Sequence, residues 1–220
     1  YAISGLWMDR SNTDDLGFFG EVSGATIKNI TFVNAAIKNS KTSSSANTGG
    51  VIADISGGSN IIINLHFNGT ITTASGDSGG IIGQSYSSGQ EITYCSYNGT
   101  LSRNSSGWGG LGGIIGNFTN GSKIEHCLVR DNTITGGSNI GGIVGNIGSM
   151  SSPKSIKYNS VYADINSTSG DNLGGIIGEI GTGGNGGLRF NYNVVHADLT
   201  GYKYVGGLIG DGENGSTSSR

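Results

Sequence analysis

Gly112-Gly-Ile-Ile-Gly116 is the stretch that decides the fold, because equivalents of it recur along the whole chain. The other copies are Leu16-Gly-Phe-Phe-Gly20, Gly49-Gly-Val-Ile-Ala53, Gly79-Gly-Ile-Ile-Gly83, Gly141-Gly-Ile-Val-Gly145, Gly174-Gly-Ile-Ile-Gly178 and Gly206-Gly-Leu-Ile-Gly210. The last residues of successive copies are 33, 30, 33, 29, 33 and 32 positions apart. A unit of this size cannot bury its own apolar face, so the repeats are expected to stack on one another.

A second apolar pattern lies between these pentads. Its first position is Ile27, Ile62, Ile92, Ile124, Ile156 and Leu188, and its second is Ile30, Leu65, Cys95, Cys127, Asn159 and Asn191. Its third is Phe32, Phe67, Tyr97, Val129 and Val161, and the sixth unit reaches Val194 after a predicted one-residue bulge at Asn193. Its fourth is Ile37, Ile71, Leu101, Ile134, Ile165 and Leu199.

These runs are short, alternating and rich in β-branched residues, and turn-forming residues bound them, which is typical of strands. The 43 glycines disfavour helix interiors by about 1 kcal/mol each relative to alanine. The sequence therefore predicts an all-β fold, a parallel β-solenoid of about seven coils with roughly 32 residues per coil. No shift in composition marks a boundary, so residues 1–220 are expected to form one domain.

The repeat resembles the GLUG repeat family, whose units carry a Gly-Gly-aliphatic-aliphatic-Gly core followed by an Ile-x-x-Cys-type strand. Residues Gly79 to Tyr97 and Gly112 to Val129 match that pattern best. Members of the family resemble surface or secreted repeat proteins, many of them parts of large adhesins. The resemblance implies an architecture and an extracellular or cell-surface location, and it transfers no catalytic residue.

Composition narrows the classes of partner. Only 12% of the residues are charged and the net charge is -3, so no basic field for nucleic acid is expected. The longest apolar runs have four or five residues, too few for a membrane-spanning helix, and no membrane insertion is expected. Without an initiator methionine or a signal peptide, the chain is expected to be a mature or excised segment of something longer.

Cys95 and Cys127 fall at the same repeat position, one coil apart. They are expected to stack in the core, either as buried thiols or as a disulfide, which an oxidising compartment allows. Neither a zinc site nor any other metal site or cofactor is expected, because no cysteine or histidine partner has suitable spacing. Asn159 and Asn191 share that column, and a short buried asparagine ladder is predicted there.

No catalytic constellation is evident, and the chain is not expected to be an enzyme. His66, His126 and His196 lie at different offsets within their repeats, so they are not expected to form a ladder. No specific Ser/His/Asp set or phosphate-binding loop can be assembled. The alternative, a polysaccharide lyase or hydrolase, rests on Asp164 and Asp198, which are repeat-equivalent and expected to point outward on adjacent coils.

Two rows of short polar side chains flank the fourth apolar position. Over three consecutive coils they contain Thr70, Thr72, Thr100, Ser102, Thr133 and Thr135. These residues are the predicted binding surface, because regular Thr-x-Thr rows resemble ice-binding faces and similar polar rows can bind glycans. The alternative is that threonine simply suits an exposed strand.

Asparagine sequons are the predicted modification sites. They occur at Asn29, Asn68, Asn98, Asn104, Asn117, Asn120, Asn166 and Asn214. In a secreted eukaryotic protein they would be N-glycosylation acceptors, whereas in most bacteria they would carry no meaning.

The sequence favours a non-catalytic, extracellular, adhesin-like structural module. Its expected partners are neighbouring repeats, other copies of itself, or glycans. The opening Ile3-Ser-Gly-Leu6 resembles the strand Ile27-Lys-Asn-Ile30, and the residues after Gly210 resemble a turn, which predicts end-to-end assembly into a filament. Ile82, Ile115, Val144, Ile177 and Ile209 are expected either to form an exposed lateral stripe or to enter the core at a corner.

Overall fold

A computed structural model describes residues 1–103, 107–148, 152–181 and 186–212. Within these residues the backbone forms 26 β-strands and no helix. The strands pair in parallel and build three sheets of 12, 7 and 7 strands. The predicted all-β parallel β-solenoid is confirmed, with about six full turns of about 32 residues plus strands before and after them.

Sheet A is the largest sheet and supplies two flanks of each turn. Its strands are β1 (Ala2–Ser4), β2 (Trp7–Arg10), β5 (Thr26–Asn39), β8 (Ile61–Thr73), β11 (Glu91–Thr93), β12 (Ser96–Arg103), β15 (Lys123–Glu125), β16 (Leu128–Gly136), β19 (Lys154–Lys157), β20 (Ser160–Ser167), β23 (Leu188–Asn191) and β24 (Val194–Thr200).

Sheets B and C contain the glycine-rich pentads. Sheet B consists of β3 (Asp15–Leu16), β6 (Asn47–Gly49), β9 (Ser78–Gly79), β13 (Leu111–Gly112), β17 (Ile140–Gly141), β21 (Leu173–Gly174) and β25 (Val205–Gly206). Sheet C consists of β4 (Phe19–Ser23), β7 (Ile52–Gly57), β10 (Ile82–Ser85), β14 (Ile115–Phe118), β18 (Val144–Ile147), β22 (Ile177–Ile180) and β26 (Ile209–Gly212). Turns 1 to 6 begin at β3, β6, β9, β13, β17 and β21.

Register across sheet A follows the apolar columns of the sequence. Ile71 pairs with Leu101, Leu101 with Ile134, and Ile134 with Ile165. All four are fully buried, because alternate residues of a strand point to the same side of the sheet. A one-residue slip would expose every one of these side chains, so the apolar column holds the register.

The paired glycines are required because the interior of each turn is narrow. A Cβ atom on Gly80 would lie 2.2 Å from the carbonyl oxygen of Gly113 and 2.4 Å from Cγ of Tyr97. The ring of Tyr97 fills the space that a side chain at Gly80 would need. The backbone therefore turns a corner at the pentad, and both of its aliphatic residues, such as Ile81 and Ile82, are fully buried.

The corner interpretation of the pentads is confirmed, and the exposed aliphatic stripe is wrong. Four of the five residues expected in that stripe are fully buried, and the fifth, Ile209, is half-buried. Cys95 and Cys127 lie in the core on adjacent turns, as predicted, and both are unbonded thiols.

The predicted asparagine ladder exists, but its second member is Asn193 and not Asn191. Asn159 donates from Nδ2 to Oδ1 of Asn193 over 3.0 Å, and its own Oδ1 accepts the Cys127 N–H at 2.9 Å. The sequence alignment was wrong in the sixth unit because Phe190, not Leu188, pairs with Ile156. Counted from Phe190, the unit keeps the common spacing, and the bulge predicted at Asn193 is not needed.

The alignment of the first strand was also wrong. Ile3 pairs with Phe32, and Met8 pairs with Ile37. Strands β1 and β2 therefore match the second half of β5, not the segment Ile27–Ile30.

No helix among the described residues has the length and apolar character needed to cross a membrane.

Candidate binding groove

Sheet A bends at the same position in every turn, where the residue is left-handed. The residues at this corner are Asn29, Asn64, Tyr94, His126, Tyr158 and Tyr192, with φ angles between 56° and 60°. Asparagine tolerates this conformation because its short polar side chain bonds locally, whereas a bulky ring does not share that advantage. Turns 3 to 6 nevertheless place an aromatic ring at the corner.

These four rings form a continuous stack, here called the aromatic ladder: Tyr94, His126, Tyr158 and Tyr192. Neighbouring ring centroids are 4.9 Å apart, and the planes differ by 6°, 6° and 1°. The tyrosines are 56%, 46% and 68% exposed in chain order. Because each ring covers the face of the next, the ladder presents ring edges and hydroxyl groups to solvent.

The aromatic ladder was not among the features predicted from the sequence, although a signal for it was present. Its members are spaced 32, 32 and 34 residues apart, and each directly precedes the column that contains Cys95, Cys127, Asn159 and Asn193. The three histidines do not stack on one another, as expected, but His126 stacks between two tyrosines. A search for columns of apolar residues alone does not detect this column of tyrosine and histidine.

A groove runs beside the aromatic ladder, parallel to the long axis of the solenoid. One side is the corner column, and the other is the outward column Asn68, Asn98, Arg130, Tyr162 and His196. Its floor is Thr31, His66, Ser96, Leu128, Ser160 and Val194. Over turns 1 to 4 it forms an open cavity of about 560 Å³. This feature is called the ladder groove below.

A chain of hydrogen bonds orders the polar groups of the ladder groove. Asn64 donates from Nδ2 to Oδ1 of Asn29 at 2.8 Å, and its Oδ1 lies 2.7 Å from Nε2 of His66. Nδ1 of His66 lies 2.7 Å from the hydroxyl of Ser96. Asn64 therefore accepts from Nε2–H, and Nδ1 accepts the Ser96 proton. Partial burial lowers the pKa of His66, which favours this neutral form.

The contact between Ser96 and His66 does not make a nucleophile by itself. Acyl transfer also needs N–H donors directed at the developing oxyanion. Strand β12 pairs with β8 on one side and β16 on the other, so its backbone N–H groups are used in the sheet. The arrangement supplies ordered donors and acceptors for binding.

A second concavity, of about 720 Å³, adjoins the ladder groove on the far side of Tyr162 and His196. Its lining includes Asp131, Asp164 and Asp198. Asp164 and Asp198 pair in register and are exposed, as the sequence predicted. Among the described residues no group of three or more histidine, cysteine, aspartate or glutamate side chains could hold a metal ion.

The predicted Thr-x-Thr rows lie in register on sheet A. Thr70 pairs with Thr100 and Thr100 with Thr133, while Ser102 pairs with both Thr72 and Thr135. The hydroxyl of Ser102 donates to that of Thr72 at 3.4 Å. On the next two turns Asp164 and Asp198 continue the first row.

The predicted glycosylation sites differ in access. Asn68 is exposed, whereas Asn117 is 6% exposed and bonds through both amide atoms, to Asp77 and to Thr119. Asn29 lies at the corner, Asn98 in the groove wall, and Asn166 in β20, while Asn120 donates to the carbonyl oxygen of Tyr86. Asn104 and Asn214 lie outside the described residues. Of the six sites that the structure describes, Asn117 is the least accessible to a transferase.

Searches of family models, curated proteins and solved structures gave no match to this chain. The resemblance to the GLUG repeat stays a prediction, and the function is argued from geometry alone.

Proposed function

We propose that this chain is a non-catalytic structural module of an adhesin-like extracellular protein. One observation carries the proposal: the core and all three sheets continue from turn to turn without a break in the described residues. Such a stack forms a stiff rod, because each turn is hydrogen-bonded to its neighbours in all three sheets. A rod of this kind presents columns of repeat-equivalent side chains at regular intervals.

The surface supports a binding or spacing role more than catalysis. Asp164 and Asp198, the basis of the alternative lyase or hydrolase, are both exposed on neighbouring strands. A glycosidase pair needs its two carboxyl groups in different environments, one of them in apolar surroundings. These two residues occupy equivalent positions with equivalent exposure.

Scattering and adhesion together test this proposal. Small-angle X-ray scattering of the chain should fit a stack of seven strands in sheets B and C, about 34 Å along the stacking axis. Beads coated with the chain should adhere to cultured cells or matrix-coated surfaces. Beads coated with heat-unfolded chain are the control. A scattering profile that does not fit this stack, equal adhesion of the two bead types, or hydrolysis of a polysaccharide by the purified chain would contradict the proposal.

Ice or glycan binding by the Thr-x-Thr rows is a second candidate, favoured by their in-register hydroxyl groups. We expect wild type to inhibit ice recrystallisation or to bind glycans on an array, and Thr100→Lys with Thr133→Lys to abolish the effect. Both residues point outward from sheet A, so the double variant should fold. A wild type inactive in both assays would remove this candidate.

Assembly of rods end to end stays part of the proposal, whereas side-by-side assembly loses its basis because the aliphatic stripe is buried. Sedimentation velocity and electron microscopy at increasing protein concentration measure it directly. Growth of filaments is the expected result, and a monomeric rod at every concentration would exclude self-assembly.

A further inference from the structure

We infer that the ladder groove binds an uncharged, extended polysaccharide chain that lies parallel to the long axis of the solenoid. This goes beyond the rod function and does not depend on it. The binding surface is also different from the Thr-x-Thr rows. Five features of the groove support it: the residues at the corner, their spacing, the charge, the poor fit of a peptide, and the dimensions.

The choice of corner residue indicates a surface role. Asn29 and Asn64 make the same left-handed bend in turns 1 and 2, so the bend itself does not require a ring. A non-glycine residue in this conformation costs about 1 kcal/mol or more, which stacking of the rings offsets. Strained residues that recur on an exposed surface are typical of functional sites, and exposed tyrosine is enriched in binding surfaces.

The spacing of the groove suits a repeating ligand. Ring edges return every 4.9 Å along the ladder, and an extended polysaccharide presents its sugar units at a similar interval. Asparagine, serine and histidine side chains both donate and accept hydrogen bonds, and so do sugar hydroxyls. The stacked rings and the bonded His66 are already ordered, so little side-chain entropy is lost on binding.

The charge of the groove favours a neutral ligand. Arg130 is the only arginine, lysine, aspartate or glutamate among the residues that line its 560 Å³ cavity. Nε of Arg130 lies 4.0 Å from the carboxylate of Asp131. The net charge of the chain is -3. A polyanion such as nucleic acid or a uronic acid polymer would therefore meet no attractive field.

The geometry disfavours a peptide in the ladder groove. An extended peptide binds through an open sheet edge, but β12 and β16 are paired on both sides. A proline-rich peptide inserts its rings between separated aromatic side chains. Rings that stack at 4.9 Å leave no such slot.

The dimensions admit a single polysaccharide chain. Tyr94 and Asn98, on opposite sides, are four residues apart along the chain, which spans at most about 13 Å between their Cα atoms. The cavity of about 560 Å³ falls in the size range of ligand sites, about 300–1,000 Å³. The groove is open along its length, so a long chain can enter from the side.

Affinity electrophoresis tests this inference directly. Wild-type chain is run through native gels that contain hydroxyethyl cellulose, galactomannan or mixed-linkage glucan, or the anionic polygalacturonate. Isothermal titration with oligosaccharides of the retaining polymer follows. We expect retardation by at least one neutral polymer and none by polygalacturonate.

The matched variant is Tyr94→Asn with Tyr158→Asn, because asparagine already occupies this corner in turns 1 and 2. The double variant should keep the melting temperature of wild type and bind about tenfold more weakly, or worse. Tyr202→Asn is the control, since Tyr202 is 82% exposed and outside the groove, and it should bind like wild type.

Three results would overturn the inference. They are no retardation by any neutral polymer, equal retardation of the double variant and wild type, or retardation by polygalacturonate alone. If binding is lost in Thr100→Lys with Thr133→Lys but kept in the tyrosine double variant, the Thr-x-Thr rows hold the ligand instead. The shape measured by scattering does not depend on any of these outcomes, so scattering tests the rod proposal separately.

Discussion

At the scale of one residue, the core holds a buried lysine side chain, Lys154. It is 1% exposed, its Nζ has no hydrogen-bond partner among the described residues, and it lies 5.9 Å from the ring centre of Phe118. Burial lowers the pKa of Lys154 to about 8. At neutral pH the Lys154 amino group is therefore mostly charged, in surroundings that stabilise a charge less well than water does.

We predict that Lys154→Met stabilises the fold at pH 7 by about 1–3 kcal/mol. Between pH 8 and 10.5 the folded chain binds fewer protons at this site than the unfolded chain, so wild-type stability should rise with pH there. The variant should lose that rise. Urea unfolding at pH 7 and pH 10 measures both effects.

Lys157→Met is the matched control, because Lys157 lies in the same strand but is half-buried. This variant should change the free energy of unfolding little. A variant Lys154→Met that is less stable than wild type at pH 7 would show that the ammonium group has a stabilising partner.

Asn159 fills the core at the position where turns 3 and 4 have cysteine. It accepts the Cys127 N–H and donates to Ile124 O and to Asn193. We predict that Asn159→Leu lowers the free energy of unfolding by about 2 kcal/mol or more, because it leaves the buried Cys127 N–H and Ile124 carbonyl without these bonds. Thermal unfolding measures the loss.

Asn191→Leu is the control for Asn159, and it also tests the register of the sixth turn. Asn191 is exposed, so its substitution should change stability by less than about 0.5 kcal/mol. A large loss at Asn191 would contradict the pairing of Ile156 with Phe190.

At the scale of the element, the glycine pair sets the thickness of each turn. We predict that Gly80→Ala destabilises the chain by about 3 kcal/mol or more, because the added methyl meets backbone and ring atoms that are themselves packed. Gly207 is the equivalent glycine of the last pentad, and a Cβ there meets nothing within 4 Å.

Gly207→Ala should therefore be neutral or slightly stabilising. Chemical denaturation of the two variants gives the comparison. Equal losses at Gly80 and Gly207 would mean that glycine is needed for backbone conformation and not for space.

At the scale of the whole molecule, stability is shared between neighbouring turns and is not uniform. Val129 and Ile134 in β16 are fully buried, while Val195 and Leu199 in β24 are half-buried. We predict that amides of β16 exchange at least about tenfold more slowly than those of β24, because local opening costs less where less apolar surface is covered.

Hydrogen exchange read by NMR or mass spectrometry measures this gradient. In the matched variants Val129→Ala and Val195→Ala, the free energy of unfolding should fall more for Val129→Ala. Uniform protection across all strands would instead indicate that the rod opens only as one unit.

Much of the fold was predictable from residue spacing. The pentads and the Ile71, Leu101, Ile134 column have a period that only stacked turns satisfy, and strand alternation then assigns the inward faces. The sixth unit was misaligned because Leu188 and Phe190 are both apolar and two residues apart. Alternation alone cannot distinguish them, and the hydrogen bonds of Asn159 with Asn193 select the register.

The sequence by itself therefore determined the architecture, the stacked cysteines and the in-register threonine rows, since these depend on period and alternation. Only the tertiary structure decided which polar residues meet. The ladder from Tyr94 to Tyr192 and the bonds of His66 with Ser96 and Asn64 depend on a left-handed bend at the corner. That bend sets the direction of a side chain through φ, a quantity that hydrophobic periodicity does not encode.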